Sequence, residues 1–213
     1  MILDKDKALK VADFLLQIKA VKLNPSKPFQ WSSGWLSPIY CDNRKILSYP
    51  AVRTYIRQAF VECIEKQYGK PDIIAGVATG GIAIGALIAQ EMNLPFIYVR
   101  SSAKAHGMQN QIEGHYEEGQ NVVVIEDLIS TGGSSLKAVE ALRNGGLKIK
   151  GLGAIFTYEF EQAKQNFKHA KCNYFTLSNY THLIEKAVEQ NYVTKNNIES
   201  LTNWRTSPET WNK

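Results

Sequence analysis

Apolar and polar positions alternate in blocks along most of this chain, and the blocks predict strands and helices in turn. Short β-branched runs such as DIIAGV (72–77) and NVVVIE (121–126) are typical of strands buried on both faces. Segments such as GIAIGALIAQEM (81–92) and SSLKAVEALRN (134–144) have the apolar spacing of amphipathic helices. We therefore expect an α/β fold with a mainly parallel central sheet covered by helices.

The rest of the chain continues this alternation. PFIYVR (95–100), KGLGAIFTY (150–158) and CNYFTL (172–177) predict further strands, with a short helix at about 162–167. A first helix is expected from Asp4 to about Leu23, and a second begins near Ser48-Tyr49-Pro50, with Ser as its cap, and ends before Gly69. We interpret the chain as a single domain. Its N-terminal elements lie within about 1–45, its core within about 46–180, and its C-terminal helices within about 180–213.

The amino-acid composition argues against several classes of protein. The 213 residues suffice for one α/β domain with a sizeable core. Three dispersed cysteines without a C-x-x-C pair argue against a disulfide framework or a structural zinc site. The N-terminus lacks a signal-peptide core and no apolar stretch approaches membrane-spanning length, so we expect a cytoplasmic protein without a membrane partner. The net charge of +5 comes from scattered basic residues, which favours a small polyanionic ligand over nucleic acid.

The residues best suited to take part in chemistry lie at the end of the predicted strand 121–126 and directly after it. Glu126 and Asp127 end this apolar run, and the small, hydroxyl-bearing loop STGGS (130–134) leads into the next helix. Such a loop directs backbone N–H groups and the positive end of a helix dipole at an anion, typically a phosphate. Carboxylates beside it need another partner, such as sugar hydroxyls or a metal cation. A phosphorylated sugar satisfies both requirements; the alternative is that Ser130 or Thr131 merely caps the helix.

Two further loops follow predicted strands. The turn ATGG (78–81) is a second candidate for anion binding, although it lacks the P-loop lysine and the dinucleotide fingerprint, and a close strand–helix contact explains it equally well. The segment 101–120 is too long for a plain connection. Arg100, Lys104 and His106 bring positive charge to its start, so it is either a lid that closes over a polyphosphate or a solvated loop.

Together these segments resemble a known family. VVVIEDLISTGGS (122–134) is similar to the phosphoribosyl pyrophosphate (PRPP) motif of type I phosphoribosyltransferases. FQWSSGWLSPIYCDNR (29–44) resembles the N-terminal hood of orotate phosphoribosyltransferases, and VRSSAKAHGMQNQIEG (99–114) resembles their mobile loop. The resemblance runs from Phe29 to about Tyr158. It implies the type I phosphoribosyltransferase fold and transfer of the phosphoribosyl group of PRPP to orotate, which gives orotidine 5'-phosphate and pyrophosphate in pyrimidine (UMP) biosynthesis.

The resemblance also implies a role for each matching residue. Lys104, His106 and Asp127 are the expected catalytic residues, and orotate is expected to contact Ser130, Tyr40 and Cys41, within a hood of residues 33–42. PRPP is expected to contact Arg100, Lys104, His106, Glu126, Asp127, Leu128, Ile129, Ser130, Thr131, Gly132, Gly133 and Ser134, with Ala78, Thr79, Gly80 and Gly81 as the pyrophosphate turn. The implied cofactor is Mg²⁺, held mainly by substrate and water rather than by a direct side-chain ligand. The implied assembly is a homodimer whose mobile loop serves the neighbouring subunit's site.

The chain departs from the family pattern in its positive charges. Ser32, Gly80 and Ser101 stand where many members have lysine, and no arginine stands near Tyr158 and Glu159 to meet the carboxylate of orotate. The missing arginine supports one alternative, a phosphoribosyltransferase for another nucleobase. A second alternative is a non-catalytic regulator that senses PRPP and binds nucleic acid, for which the sequence pI near 9.0 is the only support.

Overall fold

The computed structural model describes residues 1–31, 34–101 and 111–211. Its helices are α1 (Lys5–Gln17), α2 (Pro50–Tyr68), α3 (Gly80–Met92), α4 (Gly133–Asn144), α5 (Glu161–His169), α6 (Tyr180–Glu189) and α7 (Ile198–Thr206), with 3-10 helices at Asn43–Ser48 and Lys195–Asn197. Its strands are β1 (Val21–Leu23), β2 (Phe29–Gln30), β3 (Leu36–Ser37), β4 (Ile39–Cys41), β5 (Ile73–Val77), β6 (Phe96–Val99), β7 (Ile112–Glu113), β8 (Asn121–Ile129), β9 (Lys148–Thr157) and β10 (Tyr174–Asn179).

A six-stranded sheet lies at the centre, in the order β10-β9-β8-β5-β6-β7. All neighbouring pairs are parallel except β6 and β7, which are antiparallel. The predicted α/β architecture with a mainly parallel sheet is therefore confirmed. Because β5 and β8 are neighbours, the loops after them lie side by side at the carboxyl edge of the sheet, where ligands bind in open α/β folds.

Successive residues of the central strands face opposite sides, and each side has its own apolar core. Ile74, Val123 and Ile125 pack in the cluster that includes α1, α2, α3, α6 and α7. Val122 and Val124 pack in the cluster that includes α4 and α5. This double burial explains why the strands appear in the sequence as continuous apolar runs.

The N-terminal segment corrects one prediction. The first helix was expected to reach Leu23, but α1 ends at Gln17 and β1 (Val21–Leu23) pairs antiparallel with β4. Lys19 takes a positive φ of 54°, which is incompatible with a continuing helix. The apolar spacing of 21–23 thus reflects strand pairing with a segment some twenty positions later, which the local pattern does not contain.

Other boundaries differ in smaller ways. Helix α2 begins at Pro50 as expected, but its cap is Tyr49, and Ser48 belongs to the preceding 3-10 helix. Gly69 ends α2 with φ 68°. Strand β8 continues beyond the predicted end at Glu126 to Ile129, so Asp127 also lies within the strand. Within the described part of the chain, no helix is both long and apolar enough to cross a bilayer.

The hood is formed by the two small antiparallel sheets β1–β4 and β2–β3, which lie outside the central sheet. The expectation of an ordered, extended, aromatic segment therefore agrees with the structure. Strand β4 leads directly into the 3-10 helix Asn43–Ser48, which contacts β8. This path brings the hood to the carboxyl edge of the sheet.

Candidate active site

A cavity of about 340 Å³ lies between the turn after β5 and the loop after β8. Small side chains and backbone dominate its wall, and Asp127 and Glu126 bring two carboxyl groups to it. Its lining consists of Ala78, Thr79, Gly80, Glu126, Asp127, Leu128, Ser130, Thr131, Gly132, Gly133 and Ser134. The structure thus brings together nearly all the residues that the sequence proposed for the 5-phosphate, the ribose and the pyrophosphate turn. We call this space the donor cavity.

Two residues of the proposed segments 78–81 and 126–134 do not line the donor cavity. Ile129 is fully buried and packs in the core beside α4 and α5. Gly81 faces the sheet, where a Cβ would lie 2.2 Å from the carbonyl oxygen of Ile125. These residues support the cavity wall from behind.

The two carboxyl groups have different environments. Glu126 is 5% exposed, accepts a hydrogen bond from Ser135 Oγ at 3.0 Å, and accepts another from the backbone N–H of Asp127 at 3.0 Å. Burial, followed by repulsion from Asp127, raises the pKa of Glu126 to about 8. Asp127 is only half-buried. Asp127 is therefore the more accessible anionic group, whereas Glu126 is largely committed to internal hydrogen bonds.

Gly80 allows Asp127 to occupy its position. A Cβ at Gly80 would lie 2.3 Å from the carboxyl carbon of Asp127 and 2.4 to 2.5 Å from its oxygens. The turn between β5 and α3 and the end of β8 are thus in direct contact. The residue that departs from the family's usual lysine at this position is the one that makes room for the acid.

The loop of residues 130–134 is held in place by α5. Gly132 takes φ 82° at the start of α4, and a Cβ there would lie 2.7 Å from the ring of Phe167. Asn166 Nδ2 donates a hydrogen bond to the carbonyl of Thr131 at 2.9 Å. The loop therefore has both a positive-φ glycine and a side-chain support from a neighbouring helix.

Arg100 lies at the end of β6 and forms an ion pair of 3.4 Å with Glu113. The side-chain amide of Gln111 donates to the carbonyl of Arg100 at 2.8 Å. Arg100 lines a smaller cavity beside the donor cavity. Lys104 and His106, the other expected pyrophosphate ligands, lie outside the described residues.

A larger, aromatic cavity of about 720 Å³ adjoins the donor cavity. It is lined by Gln30, Trp31, Trp35, Tyr40, Cys41, Leu128, Ser130, Thr131, Tyr158 and Gln162. Leu128, Ser130 and Thr131 line both cavities, so the two spaces meet at the β8 loop. Tyr40, Cys41 and Ser130, which were proposed to contact a planar base, are here brought together. We call this space the acceptor cavity; none of its described lining residues is charged.

The far wall of the acceptor cavity is built from distant parts of the chain. Trp31 lies with its ring centroid 5.1 Å from that of Tyr158, and Trp204 of α7 packs edge-on 5.6 Å from each of them. Trp31 Nε1 donates to the carbonyl of Ile39 at 3.1 Å. Trp204 is fully buried and was not identified from the sequence, where the C-terminal segment predicted only helices.

Glu159 anchors α6 and α7 next to this wall. It takes a positive φ of 62° after β9. Its carboxylate accepts hydrogen bonds from Asn179 Nδ2 at 2.8 Å and Thr181 Oγ1 at 2.6 Å, and Arg205 Nη1 lies 3.6 Å away. The position at which the sequence lacks the family's arginine therefore carries an acid with a structural role.

Asn43 links the hood to the donor cavity and was also missed. Its side-chain nitrogen donates to the carbonyl of Asp127, and its side-chain oxygen accepts from the thiol of Cys41 at 3.2 Å. Burial, with the nearby charge of Asp127, raises the pKa of the Cys41 thiol well above its usual value. Cys41 is therefore a neutral hydrogen-bond donor in the lining of the acceptor cavity.

Metal binding by a preformed protein site has little support in the described parts of the chain. Residues 1–31, 34–101 and 111–211 hold no cluster of three or more His, Cys, Asp or Glu side chains suited to a metal ion. Asp127 alone presents an accessible carboxylate in the donor cavity. Mg²⁺ often binds to one or two carboxylates together with substrate phosphates, and this donor set is compatible with that mode.

Comparison with known proteins gives a consistent result. A family model described as a phosphoribosyl transferase domain matches residues 42–190. The chain is 56% identical to an orotate phosphoribosyltransferase of Cytophaga hutchinsonii, over 95% of this chain and 97% of that one. It is 52% identical to one from Porphyromonas gingivalis, over 94% and 96%. The crystal structure of orotate phosphoribosyltransferase from Aeropyrum pernix superposes with a TM-score of 0.75 at 26% identity, covering 86% of this chain and 99% of that one.

Proposed function

The chain belongs to the orotate phosphoribosyltransferase family, and on this premise we propose that it transfers the 5-phosphoribosyl group of PRPP to orotate in pyrimidine biosynthesis. One observation carries the proposal. The donor cavity and the acceptor cavity share Leu128, Ser130 and Thr131, so a phosphorylated sugar in the first places its anomeric carbon towards a planar base in the second.

The donor cavity suits a phosphorylated sugar on both of its sides. The loop of residues 130–134 precedes α4, a helix of 12 residues whose N-terminal N–H groups and dipole favour a 5-phosphate. Asp127 lies on the other side, where its carboxylate is available to ribose hydroxyls. The turn after β5 completes the cavity and is positioned for the pyrophosphate.

The acceptor cavity suits a planar, hydrogen-bonding ring. Trp31, Trp35 and Tyr158 supply aromatic surface, and Ser130 and Gln162 supply hydrogen-bonding groups. Because no described lining residue is charged, we propose that the carboxylate of orotate is bound by neutral donors and backbone N–H groups of the hood. This arrangement replaces the arginine that the family often uses.

The proposed reaction needs no covalent intermediate with the protein. A ring nitrogen of orotate forms a bond to the anomeric carbon, the nitrogen gives up its proton, and the bonding electrons of the anomeric C–O bond leave with pyrophosphate. Charge then develops on the sugar as a cation and on the leaving group as an anion. Asp127 stabilises the first, and Arg100, with Lys104 and His106 from the segment outside the described residues, stabilises the second.

Mg²⁺ completes the proposal for the leaving group. The metal would be held mainly by phosphate oxygens of PRPP and by water, with the carboxylate of Asp127 nearby in the donor cavity. When bound, the metal neutralises charge that develops on pyrophosphate. The chain's own groups orient the donor and exclude water from it.

Further features extend the proposal: the assembly follows from the resemblance, whereas the location, the single domain and the partners follow from the sequence pattern and composition. We infer a homodimer in which the segment after Arg100 closes over the neighbouring subunit's site. We also place the protein in the cytoplasm, as one domain that binds small molecules and neither nucleic acid nor membrane.

The decisive test follows the ultraviolet absorbance of orotate in the presence of purified protein, PRPP and Mg²⁺. Uracil, hypoxanthine and adenine are measured in parallel. We expect loss of the orotate signal that depends on both PRPP and Mg²⁺, and no reaction with the other bases. Turnover of a different base would preserve the reaction class and refute the assignment of the acceptor, whereas no turnover with any base would favour a regulatory role.

A further inference from the structure

A cavity of about 270 Å³ lies directly beside the donor cavity. Its lining includes Lys137, a residue that the sequence pattern did not identify. The two cavities share Ala78, Gly133 and Ser134. The smaller one is lined by Val77, Ala78, Val99, Arg100, Ser101, Gln111, Gly133, Ser134, Lys137 and Ala138. Lys137 thus reaches the same region as Arg100, from a different element of the fold.

Lys137 matters because the described lining of the donor cavity contains acidic residues but no basic ones. The donor cavity is lined by Glu126 and Asp127, and its lining, as far as the structure describes it, contains no lysine or arginine. PRPP carries several negative charges, so cations must come from neighbouring positions. Among the described residues that line the adjoining cavity, Arg100 and Lys137 are the two cationic side chains.

Arg100 and Lys137 differ in whether they already have an anionic partner. Arg100 is paired with Glu113 at 3.4 Å, and that pair is partly buried. Lys137 is exposed, and in the described ranges no carboxylate lies within ion-pair distance of its amino group. An unpaired cation gains more from a phosphate oxygen than a cation that already has a carboxylate partner.

The position of Lys137 on α4 directs its side chain towards the donor. Lys137 is four residues after Gly133, so the two lie on the same face of the helix, one turn apart. Side chains on a helix tilt towards its N-terminus. A flexible lysine in the second turn therefore extends back over the first turn, where Gly133 and Ser134 line both cavities.

We propose that Lys137 binds the pyrophosphate group of PRPP together with Arg100. The proposal rests on the function proposed above and identifies one more donor-binding residue. It lines one cavity together with Arg100 and the turn residue Ala78, and this shared lining associates it with pyrophosphate rather than with the 5-phosphate. It also brings positive charge to the cavity that Ser101 lines.

The test compares Lys137→Gln with Lys137→Arg and with Lys148→Gln. Lys148 is an exposed lysine at the start of β9, so its replacement removes the same charge away from both cavities. We expect Lys137→Gln to raise the KM for PRPP, and the dissociation constant of pyrophosphate measured by calorimetry, roughly tenfold, because a charge-assisted hydrogen bond is lost. Lys137→Arg should retain most of the affinity, and Lys148→Gln should behave as wild type.

Binding of orotidine 5'-phosphate separates the two ends of the donor. This nucleotide has the 5-phosphate but no pyrophosphate, so its affinity should be unchanged in Lys137→Gln. Weaker binding of orotidine 5'-phosphate with wild-type affinity for pyrophosphate would place Lys137 at the 5-phosphate. Equal weakening of both ligands would show a general electrostatic effect, and either outcome would overturn the assignment. The wild-type assay with orotate is performed first. If it shows turnover and Lys137→Gln has no defect, the inference about Lys137 fails alone, whereas a wild type that neither turns over nor binds PRPP refutes the proposed function itself.

Discussion

The side-chain amide of Asn43 donates a hydrogen bond of 2.7 Å to the main-chain carbonyl of Asp127, which lies 84 positions later in the chain. Asn43 is 1% exposed and begins the 3-10 helix that follows β4. Cys41, one wall residue of the acceptor cavity, donates to the oxygen of the same amide. A single buried side chain therefore connects the lining of the acceptor cavity to the strand that carries Asp127, the acid proposed to bind ribose.

Replacing Asn43 by Ala should impair the use of PRPP as a substrate. The carbonyl of Asp127 would lose its buried hydrogen-bond donor. This loss lowers the free energy of unfolding by about 1–3 kcal/mol and allows the end of β8 to shift. We expect a lower kcat/KM for PRPP and a lower free energy of unfolding, measured by steady-state kinetics and urea titration. Asn203→Ala, at an exposed amide on α7, is the control.

Asn43→Asp distinguishes positioning from simple stability. Aspartate has the same shape but donates to the carbonyl only when protonated. The activity of this variant, relative to wild type, should therefore rise as the pH is lowered. A constant ratio across pH would show that the hydrogen bond to Asp127 does not matter for catalysis.

Asp127→Asn should weaken PRPP binding and reduce turnover. The amide keeps the size of the side chain but removes the accessible negative charge of the donor cavity. We expect kcat to fall by roughly a hundredfold, by analogy with the loss of one preorganised electrostatic group. Wild-type PRPP affinity and kcat in this variant would refute the role assigned to Asp127. Glu140→Gln, at an exposed acid on α4, is a suitable control.

Adjacent glycines in the turn after β5 should respond differently to alanine. At Gly80 the new methyl group meets the side chain of Asp127, which can move, so we expect reduced activity with little loss of stability. At Gly81 it meets the carbonyl oxygen of Ile125 in β8, which cannot move without shifting the strand. Gly81→Ala should therefore lower the melting temperature far more than Gly80→Ala does. Equal thermal shifts would contradict this difference.

Stability should depend on pH through Glu126. Its pKa is raised from 4.5 to about 8, so the native state binds a proton more tightly than the unfolded chain does. The stabilisation from this group is complete below the unfolded pKa and is lost as the pH rises through the folded pKa. In Glu126→Gln, thermal unfolding should depend less on pH between about 5 and 8. The same pH dependence in wild type and variant would assign the proton to another group.

Lys104→Ala tests the segment that follows Arg100. The proposed role of Lys104 is to stabilise the departing pyrophosphate, so kcat should fall by roughly a hundredfold. The free energy of unfolding should change little, because the role proposed for Lys104 is electrostatic stabilisation of the leaving group. Activity equal to wild type would remove Lys104 from the mechanism. Lys150→Ala, at an exposed position in β9, controls for the loss of charge.

The features that the sequence predicted well are local ones. The run 122–134 contains a strand buried on both faces, a small-residue loop and the start of a helix, and each of these has its own local pattern. The parallel neighbours β5 and β8 then place the turn 78–81 beside it. The donor cavity could therefore be assembled from short segments and a general rule of sheet topology.

The features that were missed depend on distant partners. Asn43 and Trp204 show no local pattern that marks them, because their roles come from Asp127 and from the pair Trp31 and Tyr158. The local pattern predicts helix for residues 21–23, whereas the structure has a strand there, because its partner β4 is a separate segment. Lys137 occupies a polar position of an amphipathic helix, and only the structure brings it next to Arg100.

Trp204 is synthesised after all the described residues that line the two cavities. Residues 78–134 contain the whole donor cavity, so a ribosome has produced this site well before it reaches α7. The acceptor cavity combines residues 30–41 with 128–131 and 158–162, and its aromatic wall is complete only when Trp204 has been added. A nascent chain therefore acquires the elements for holding a sugar phosphate before it acquires those for selecting a base.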